Sequence, residues 1–395
     1  MNRFNSSDLL LLAACKLVNK VDIFAGDFTK GAILSLFLCR FGLNPNRKHG
    51  ETFVSSHMAT LLDVSRNDKK ECDVIYRPEP ILAEAACWIM YICKLNGLIR
   101  LSPWTVIRQA CVVLQDDDIV AKSAGDRGEV GAAAAICFTM DNMRDQQMTI
   151  KNPYRADTHN MGCNIDAIDM LTALSGFKES YIKSKYSILD GYVCNANHFI
   201  RLKGRITRAQ CELAVEYHCG MYVEAGTEGV DMILVLTKLM NDGDGGEDSL
   251  ELMIVRIQVK NYCNDITVGE TSKLFAKMTP LSCSPYVGNE ANSIAIVFMV
   301  GRGVAWCVDR RLKENENCVA SNNICVHAYQ SSTAGGNTVH QLQMVLNMYV
   351  EDTIACICSL KKEICELVNN TNQRMITYRA HSGRKFAAAA EQSSA

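Results

Sequence analysis

The chain has 395 residues, 48% of them hydrophobic, which is enough to bury a sizeable core in about two or three domains. Its 41 Lys and Arg residues against 43 Asp and Glu residues give a formal net charge of −2. The field of the whole molecule therefore does not attract nucleic acid, and any such binding must come from a local basic patch. No apolar run approaches the ~20 residues that a membrane span requires.

Cysteine is the unusual residue of the composition, with 19 in all. No C-x-x-C pair occurs, which argues against a zinc site. Most of these cysteines lie inside apolar runs, where a thiol behaves as a small core hydrophobe. Their odd number indicates a reducing compartment, so we expect an intracellular protein of the cytoplasm or nucleus, with a secreted effector as the alternative.

Residues 1–120 are predicted to be mainly helical. Helical spacing of apolar residues favours helices over Leu9–Val18, Thr29–Phe41 and Pro80–Leu95, and Ser102-Pro103 begins another. A further helix, rich in small residues, follows over residues 130–138, with Glu129 in its first turn, where the helix dipole favours an anion. The first 120 residues contain no recognisable catalytic constellation.

The next part of the chain has two predicted helices and a cluster of basic residues. A short amphipathic helix is expected over Ile165–Leu174, and a longer one over Arg208–His218. The segment just before the second helix is the strongest local basic stretch of the chain, with Arg201, Lys203, Arg205 and Arg208. These four cations either form a solvated face or bind phosphates.

Five strands are predicted after that helix, and the central two form a hairpin. Their ranges are Met221–Glu224, Val230–Leu236, Leu250–Lys260, Ser293–Val300 and Ile324–Tyr329. A long helical stretch is expected over Val339–Asn369, and residues 384–395 are expected to be a disordered tail.

The hairpin carries polar residues where a buried strand should have none. Asp231 begins the second strand of the sheet, and Gln258 and Lys260 end the third. Because side chains alternate along a strand, Gln258 and Lys260 share one side, and the register can bring Asp231 beside them. An unpaired buried charge costs several kcal/mol, so this grouping indicates a metal site with a lysine beside it.

These residues resemble the restriction-endonuclease-like PD-(D/E)xK superfamily, in which one strand carries an Asp and the next an acid-x-Lys. The motif G-T-E-G-V-D at residues 226–231, followed by Q-V-K at residues 258–260, is most similar to the Mrr type. The Pro of the pattern is absent, and Gln258 replaces the usual acid, as it does in the Mrr type. The similarity spans roughly residues 126–329, and its setting also resembles the nuclease module of Crinkler-like effectors.

The resemblance implies metal-dependent hydrolysis of phosphodiester bonds, in DNA more than in RNA, with Mg²⁺ or Mn²⁺ as cofactor. Asp231 is the implied metal ligand, together with the Gln258 amide oxygen or the Val259 carbonyl, and Lys260 orients the attacking water. A helix acid completes the metal shell, and Glu129, Glu212 and Glu216 are the candidates.

The sequence thus predicts an α/β fold, a restriction-endonuclease-like mixed β-sheet flanked by helices, with helical extensions at both ends. The predicted division is a helical region 1–120, a nuclease-like domain 121–335, a helical region 336–383 and the tail 384–395. Two other interpretations stay open. The domain could bind nucleic acid or a protein without catalysis, or Asp231 and Lys260 could form a structural ion pair.

Overall fold

A computed structural model describes the chain in segments. They are residues 6–20, 28–43, 47–64, 72–76, 80–95, 129–144 with single gaps, 164–175, 179–202, 206–224, 229–240, 249–261, 292–301, 324–334 and 337–347, and the isolated residues 23, 45, 273 and 277. The helix predicted from Ser102 and the tail 384–395 lie outside them.

The N-terminal part is mainly helical, as predicted. Its helices are α1 (Ser6–Val18), α2 (Lys30–Arg40), α3 (Gly50–Ser56) and α4 (Pro80–Leu95). The Thr29 hydroxyl caps α2 by accepting the Ala32 N–H at 3.1 Å, a bond that satisfies one of the unpaired N–H groups at a helix start. An antiparallel hairpin of β1 (Thr60–Val64) and β2 (Cys72–Ile75) was not predicted. In the described residues, no helix is long and apolar enough to cross a bilayer.

The remaining described helices flank the sheet. Residues 129–144 are helical wherever the structure describes them, and α5 (Ala167–Ser175), α6 (Glu179–Lys185) and α7 (Arg208–Glu216) follow. A capping box between Thr207 and Gln210 sets the start of α7. This helix connects two neighbouring parallel strands, β5 and β6, so it runs antiparallel to both.

The sheet is mixed, which confirms the α/β class. Its described strands are β3 (Ile165–Asp166), β4 (Val193–Cys194), β5 (His198–Arg201), β6 (Cys219–Tyr222), β7 (Met232–Met240), β8 (Ser249–Asn261), β9 (Asn292–Gly301), β10 (Ile324–Ala334) and β11 (Asn337–Asn347). The order is β10-β11-β9-β8-β7-β4-β3, and β6 lies between β5 and β7. The β6–β7 and β7–β8 pairs are antiparallel, whereas β8–β9 and β9–β11 are parallel.

The helix predicted from Val339 is wrong over its described part, because residues 337–347 form β11. The local sequence Gln341-Leu342-Gln343-Met344 alternates polar and apolar residues, which is the two-residue period of a strand. Pairing with β9 on one side and β10 on the other stabilises the extended form. The rest of the predicted stretch, residues 348–369, lies outside the described residues.

Both faces of the central strands are buried. The face with Met232, Leu234 and Ile257 joins the N-terminal helices and the 129–144 segment in one large cluster. The opposite face, with Ile233, Val235 and Ile254, packs against α7 in a second cluster. Described cysteines such as Cys39, Cys137 and Cys194 are buried in the large cluster, as predicted, and burial raises the pKa of each of these three thiols to about 12.

A buried ion pair connects the N-terminal helices to the sheet. Arg40 of α2 donates two hydrogen bonds to the Asp141 carboxylate, at 2.8 and 3.1 Å, and its Nε donates to the Asn197 carbonyl at 3.0 Å. Arg144 donates to the Asn195 amide oxygen at 2.8 Å. Removing one partner of such a buried pair typically costs about 3–5 kcal/mol, so this network holds α2, the 129–144 segment and the β4–β5 turn together.

Candidate active site

Asp231 lies at the entrance to β7, after a glycine that the backbone requires. Gly229 has φ of +86°, a conformation that favours glycine. A Cβ at Gly229 would lie 2.6 Å from the Lys277 carbonyl oxygen, closer than real atoms approach. Positive φ and this main-chain neighbour together explain the glycine of the G-V-D motif, and they place Lys277 beside the start of β7.

The Asp231 carboxylate bridges the ends of two strands. Its Oδ2 accepts the Val259 N–H at 2.6 Å, while the Asp231 N–H donates to the Ile257 carbonyl at 2.9 Å. On the other side, the Asp231 carbonyl accepts the Val223 N–H at 2.9 Å. Short hydrogen bonds to a charged acceptor are about twice as strong as neutral ones. Asp231 is therefore held at the point where β6, β7 and β8 meet.

Gln258 lies next to the residues that bind Asp231, and its buried amide oxygen has no hydrogen-bond partner among the described residues. The Asp231 N–H donates to the carbonyl of Ile257, and the Asp231 carboxylate accepts the N–H of Val259, so Gln258 lies between the two residues that Asp231 contacts. Gln258 is only 4% exposed, and its Oε1 has no hydrogen-bond partner in the described part of the structure. An orphaned buried acceptor costs about 1–3 kcal/mol, and a bound ion at this position is one way to offset that cost.

The Val259 carbonyl points toward the same side of β8 as Asp231. The N–H and C=O of one strand residue point toward the same neighbouring strand, and the Val259 N–H points to Asp231. The backbone of Lys260 continues β8, with Met299 of β9 as its partner, while its side chain lies outside the described residues. Oxygen groups of Asp231, Gln258 and Val259 thus belong to neighbouring positions, where β7 begins and β8 ends.

The structure gives Glu129 a cationic neighbour. Its Oε2 lies 3.7 Å from Nη1 of Arg201, and the Arg201 guanidinium stacks on the Tyr222 ring, with 4.5 Å between Cζ and the ring centroid. The buried Tyr222 hydroxyl has no hydrogen-bond partner among the described residues. Burial, and to a smaller extent Glu129, raise the pKa of Tyr222. Neither the stack nor the Tyr222 contribution was foreseen from the sequence.

The two acids of α7 lie at different levels of the sheet. Glu216 lines a cleft with Thr237 and Leu239, and Thr237 is six residues, or about 20 Å, along the strand from Asp231. Glu212 lies one helical turn closer to Asp231, because α7 runs parallel to β7, and it pairs with Arg208 at 3.0 Å. Position along the sheet therefore favours Glu212 over Glu216 as a neighbour of the site.

The predicted phosphate-binding cations are described only in part. Arg201 is held by Glu129 and Tyr222, and the exposed Arg208 pairs with Glu212. Lys203 and Arg205 lie outside the described residues. The two described cations of this stretch therefore each have a carboxylate partner in the protein, with which a phosphate would compete.

The donor set at Asp231 is compatible with Mg²⁺, which prefers oxygen ligands and keeps several waters. Across the described residues, no three His, Cys, Asp or Glu side chains group closely enough to hold a metal ion. A site built from one carboxylate, one amide and one main-chain carbonyl does not need such a group. Comparison of the chain with family models, curated proteins and solved structures finds no match.

Proposed function

We propose that this protein is a metal-dependent nuclease of the PD-(D/E)xK kind, which hydrolyses phosphodiester bonds of DNA, with RNA as the second candidate. One observation carries the proposal: the Asp231 carboxylate accepts the Val259 N–H, and the neighbouring Gln258 has a buried amide oxygen with no hydrogen-bond partner among the described residues. Buried polar groups without a partner are uncommon in native proteins, and a bound ion is one explanation for them. A metal ligand explains both the burial and the missing partner.

The setting of these residues also supports the proposal. Asp231 and the Q-V-K motif lie on neighbouring antiparallel strands of a mixed sheet with helices on both faces. This is the arrangement that the restriction-endonuclease-like pattern requires. Burial of β7 and β8 on both faces also supports the proposal, because binding sites are more precise when packed strands carry them.

Each residue has a separate task in this proposal. Asp231, Gln258 and the Val259 carbonyl bind Mg²⁺ or Mn²⁺, and Lys260 orients the attacking water and stabilises the charge that develops on the phosphate. The bound metal supplies Lewis-acid stabilisation of that charge. Glu129 and Glu212 are the two candidates for the additional acid. Glu129 would have to break its ion pair with Arg201 to bind the metal.

The test is incubation of the full chain with supercoiled plasmid and with single-stranded RNA, in Mg²⁺, Mn²⁺ or EDTA. Cleavage is expected with either metal and not in EDTA. Asp231→Asn keeps an acceptor for the Val259 N–H but removes the charge, so we expect cleavage to fall by orders of magnitude with a modest loss of stability. The matched control is Glu251→Gln, at the exposed start of β8 and far from Gln258 on that strand, which should cleave normally.

Lys260→Met separates catalysis from the structural ion pair. The methionine keeps most of the packing volume, so a catalytic Lys260 predicts normal melting, retained DNA binding and lost cleavage. A structural pair with Asp231 predicts a loss of about 3–5 kcal/mol. A parent protein that binds DNA but never cleaves it would instead favour the non-catalytic binding domain.

A further inference from the structure

A cleft toward the other end of β7 from Asp231 has a mixed polar and apolar lining. Its volume is about 510 Å³, within the range of about 300–1,000 Å³ that is usual for small-molecule pockets. Val235 and Leu239 belong to its apolar walls, and Glu216 and Thr237 to its polar groups. Thr237 lies about 20 Å along the strand from Asp231, so this cleft is separate from the candidate active site.

Three polar side chains of the cleft make no side-chain hydrogen bond in the described part of the chain. They are the Glu216 carboxylate, the His218 imidazole and the Thr237 hydroxyl. Asn195 differs from them, because this lining residue accepts a hydrogen bond from Arg144 at 2.8 Å. The first three groups therefore have hydrogen-bonding capacity that a ligand in the cleft can use.

His218 occupies a backbone position at which helices commonly have glycine. It follows α7 with φ of +54°, the left-handed conformation in which many helices end, and its N–H donates to the Val215 carbonyl at 3.2 Å. Glycine adopts this conformation without a steric penalty, whereas a residue with a Cβ is disfavoured in it. A histidine at this position is explained if its side chain has a task in the cleft.

All three side chains can accept hydrogen bonds at neutral pH. Burial, and to a smaller extent Arg144, lower the pKa of His218, so its ring is neutral and one ring nitrogen is an acceptor. Glu216 is the one acidic side chain among the described residues that line the cleft. An ammonium group has three donors and a positive charge, so it matches this lining, whereas the Glu216 carboxylate repels phosphates and other anions.

We propose that this cleft binds a small molecule with an apolar body and a primary ammonium group. The body packs on the apolar walls, and the ammonium donates to Glu216, His218 and Thr237. The inference does not depend on the proposed nuclease function, because neither Asp231 nor residues 258–260 are among the described residues that line the cleft.

The experiment is isothermal titration calorimetry of the full chain at neutral pH, in EDTA, with three ligands that share an indole body. Tryptamine carries an ammonium group, tryptophol a hydroxyl and indole-3-propionate a carboxylate. Tryptamine should bind best, and Glu216→Gln should weaken its binding by about fivefold, the upper range for an exposed ion pair, without weakening that of tryptophol. His218→Gly should also weaken tryptamine binding with little change in melting temperature, because glycine favours the left-handed backbone. The matched control is Glu51→Gln, at the exposed start of α3.

The outcomes are distinct. Selective binding of tryptamine, loss of that selectivity in Glu216→Gln, weaker binding in His218→Gly and no change in Glu51→Gln support the inference. Equal affinity for the three ligands, or a selectivity that Glu216→Gln leaves intact, overturns it. An equal loss in Glu51→Gln also overturns it, since the net charge of the chain would then explain the preference. Absence of tryptamine binding at millimolar concentration overturns it as well, and plasmid cleavage tests the nuclease proposal separately.

Discussion

Replacing Gln258 by Met should stabilise the fold while abolishing cleavage. Gln258 is 4% exposed and its Oε1 has no hydrogen-bond partner in the described structure. Met has a similar length and no amide to desolvate, so it fills the space of the buried Gln258 side chain. If the amide is retained for metal binding, its removal should stabilise the metal-free protein, because the amide oxygen no longer has to be buried without a partner.

The magnitude follows from the orphaned oxygen. A buried acceptor without a partner costs about 1–3 kcal/mol, so Gln258→Met should raise the free energy of unfolding by up to that amount. Bound Mg²⁺ stabilises the parent by RT ln(1 + [Mg²⁺]/Kd), which is about 1.4 kcal/mol when the metal is at ten times Kd. In the variant this metal-dependent increment should shrink or vanish.

The assay is urea unfolding of parent and variant, in EDTA and in 10 mM Mg²⁺, beside plasmid nicking. Gln258→Glu is the matched variant, because it restores the acid that the PD-(D/E)xK pattern usually has. Its buried carboxylate should destabilise the metal-free protein, through desolvation of the charge, and should enlarge the stabilisation by Mg²⁺. Cleavage by this variant should be retained.

Two results would refute the reasoning. A loss of stability greater than about 1 kcal/mol in Gln258→Met would show that the amide has a structural hydrogen bond. A more stable variant that still nicks plasmid as the parent does would show that Gln258 is not a ligand.

Three more predictions test other parts of the structure. Gly229→Ala should cost more stability in urea than Gly191→Ala, because both glycines have positive φ but only Gly229 meets a main-chain oxygen; equal losses would contradict the close approach. Burial lowers the pKa of His198 to about 3, so its unfolded form binds a proton near pH 6.5 while its folded form does not. Stability should therefore fall as the pH drops below 6.5, by up to about 1.4 kcal/mol per unit, and His198→Gln should flatten that slope between pH 6 and 5. Glu129→Gln should raise DNA affinity if Glu129 only opposes Arg201, and should weaken Mg²⁺ binding if it is a metal ligand; metal titration by calorimetry distinguishes the two.

The sequence by itself predicted the elements whose patterns are local. Strands β7, β8 and β9 were placed within a few residues, because long β-branched apolar runs bounded by polar loops have few alternatives. Helices α2 and α4 followed from apolar residues at helical spacing, and Pro80 was placed correctly at the start of α4. The closeness of Asp231 to residues 258–260 also followed from strand alternation, and the hydrogen bond to Val259 agrees with it.

Only the tertiary structure decided which distant segments cover those elements. The spacing of apolar residues in a segment shows which of its faces will be buried. It does not show which distant segment will cover that face. Residues 337–347 contain helical and strand spacings at once, and pairing with β9 and β10 selected the strand. The partners Arg201 for Glu129, Asp141 for Arg40 and Lys277 for Gly229 come from 72, 101 and 48 positions away. Such contacts depend on how the chain crosses the sheet, a choice that side-chain patterns within one segment do not encode.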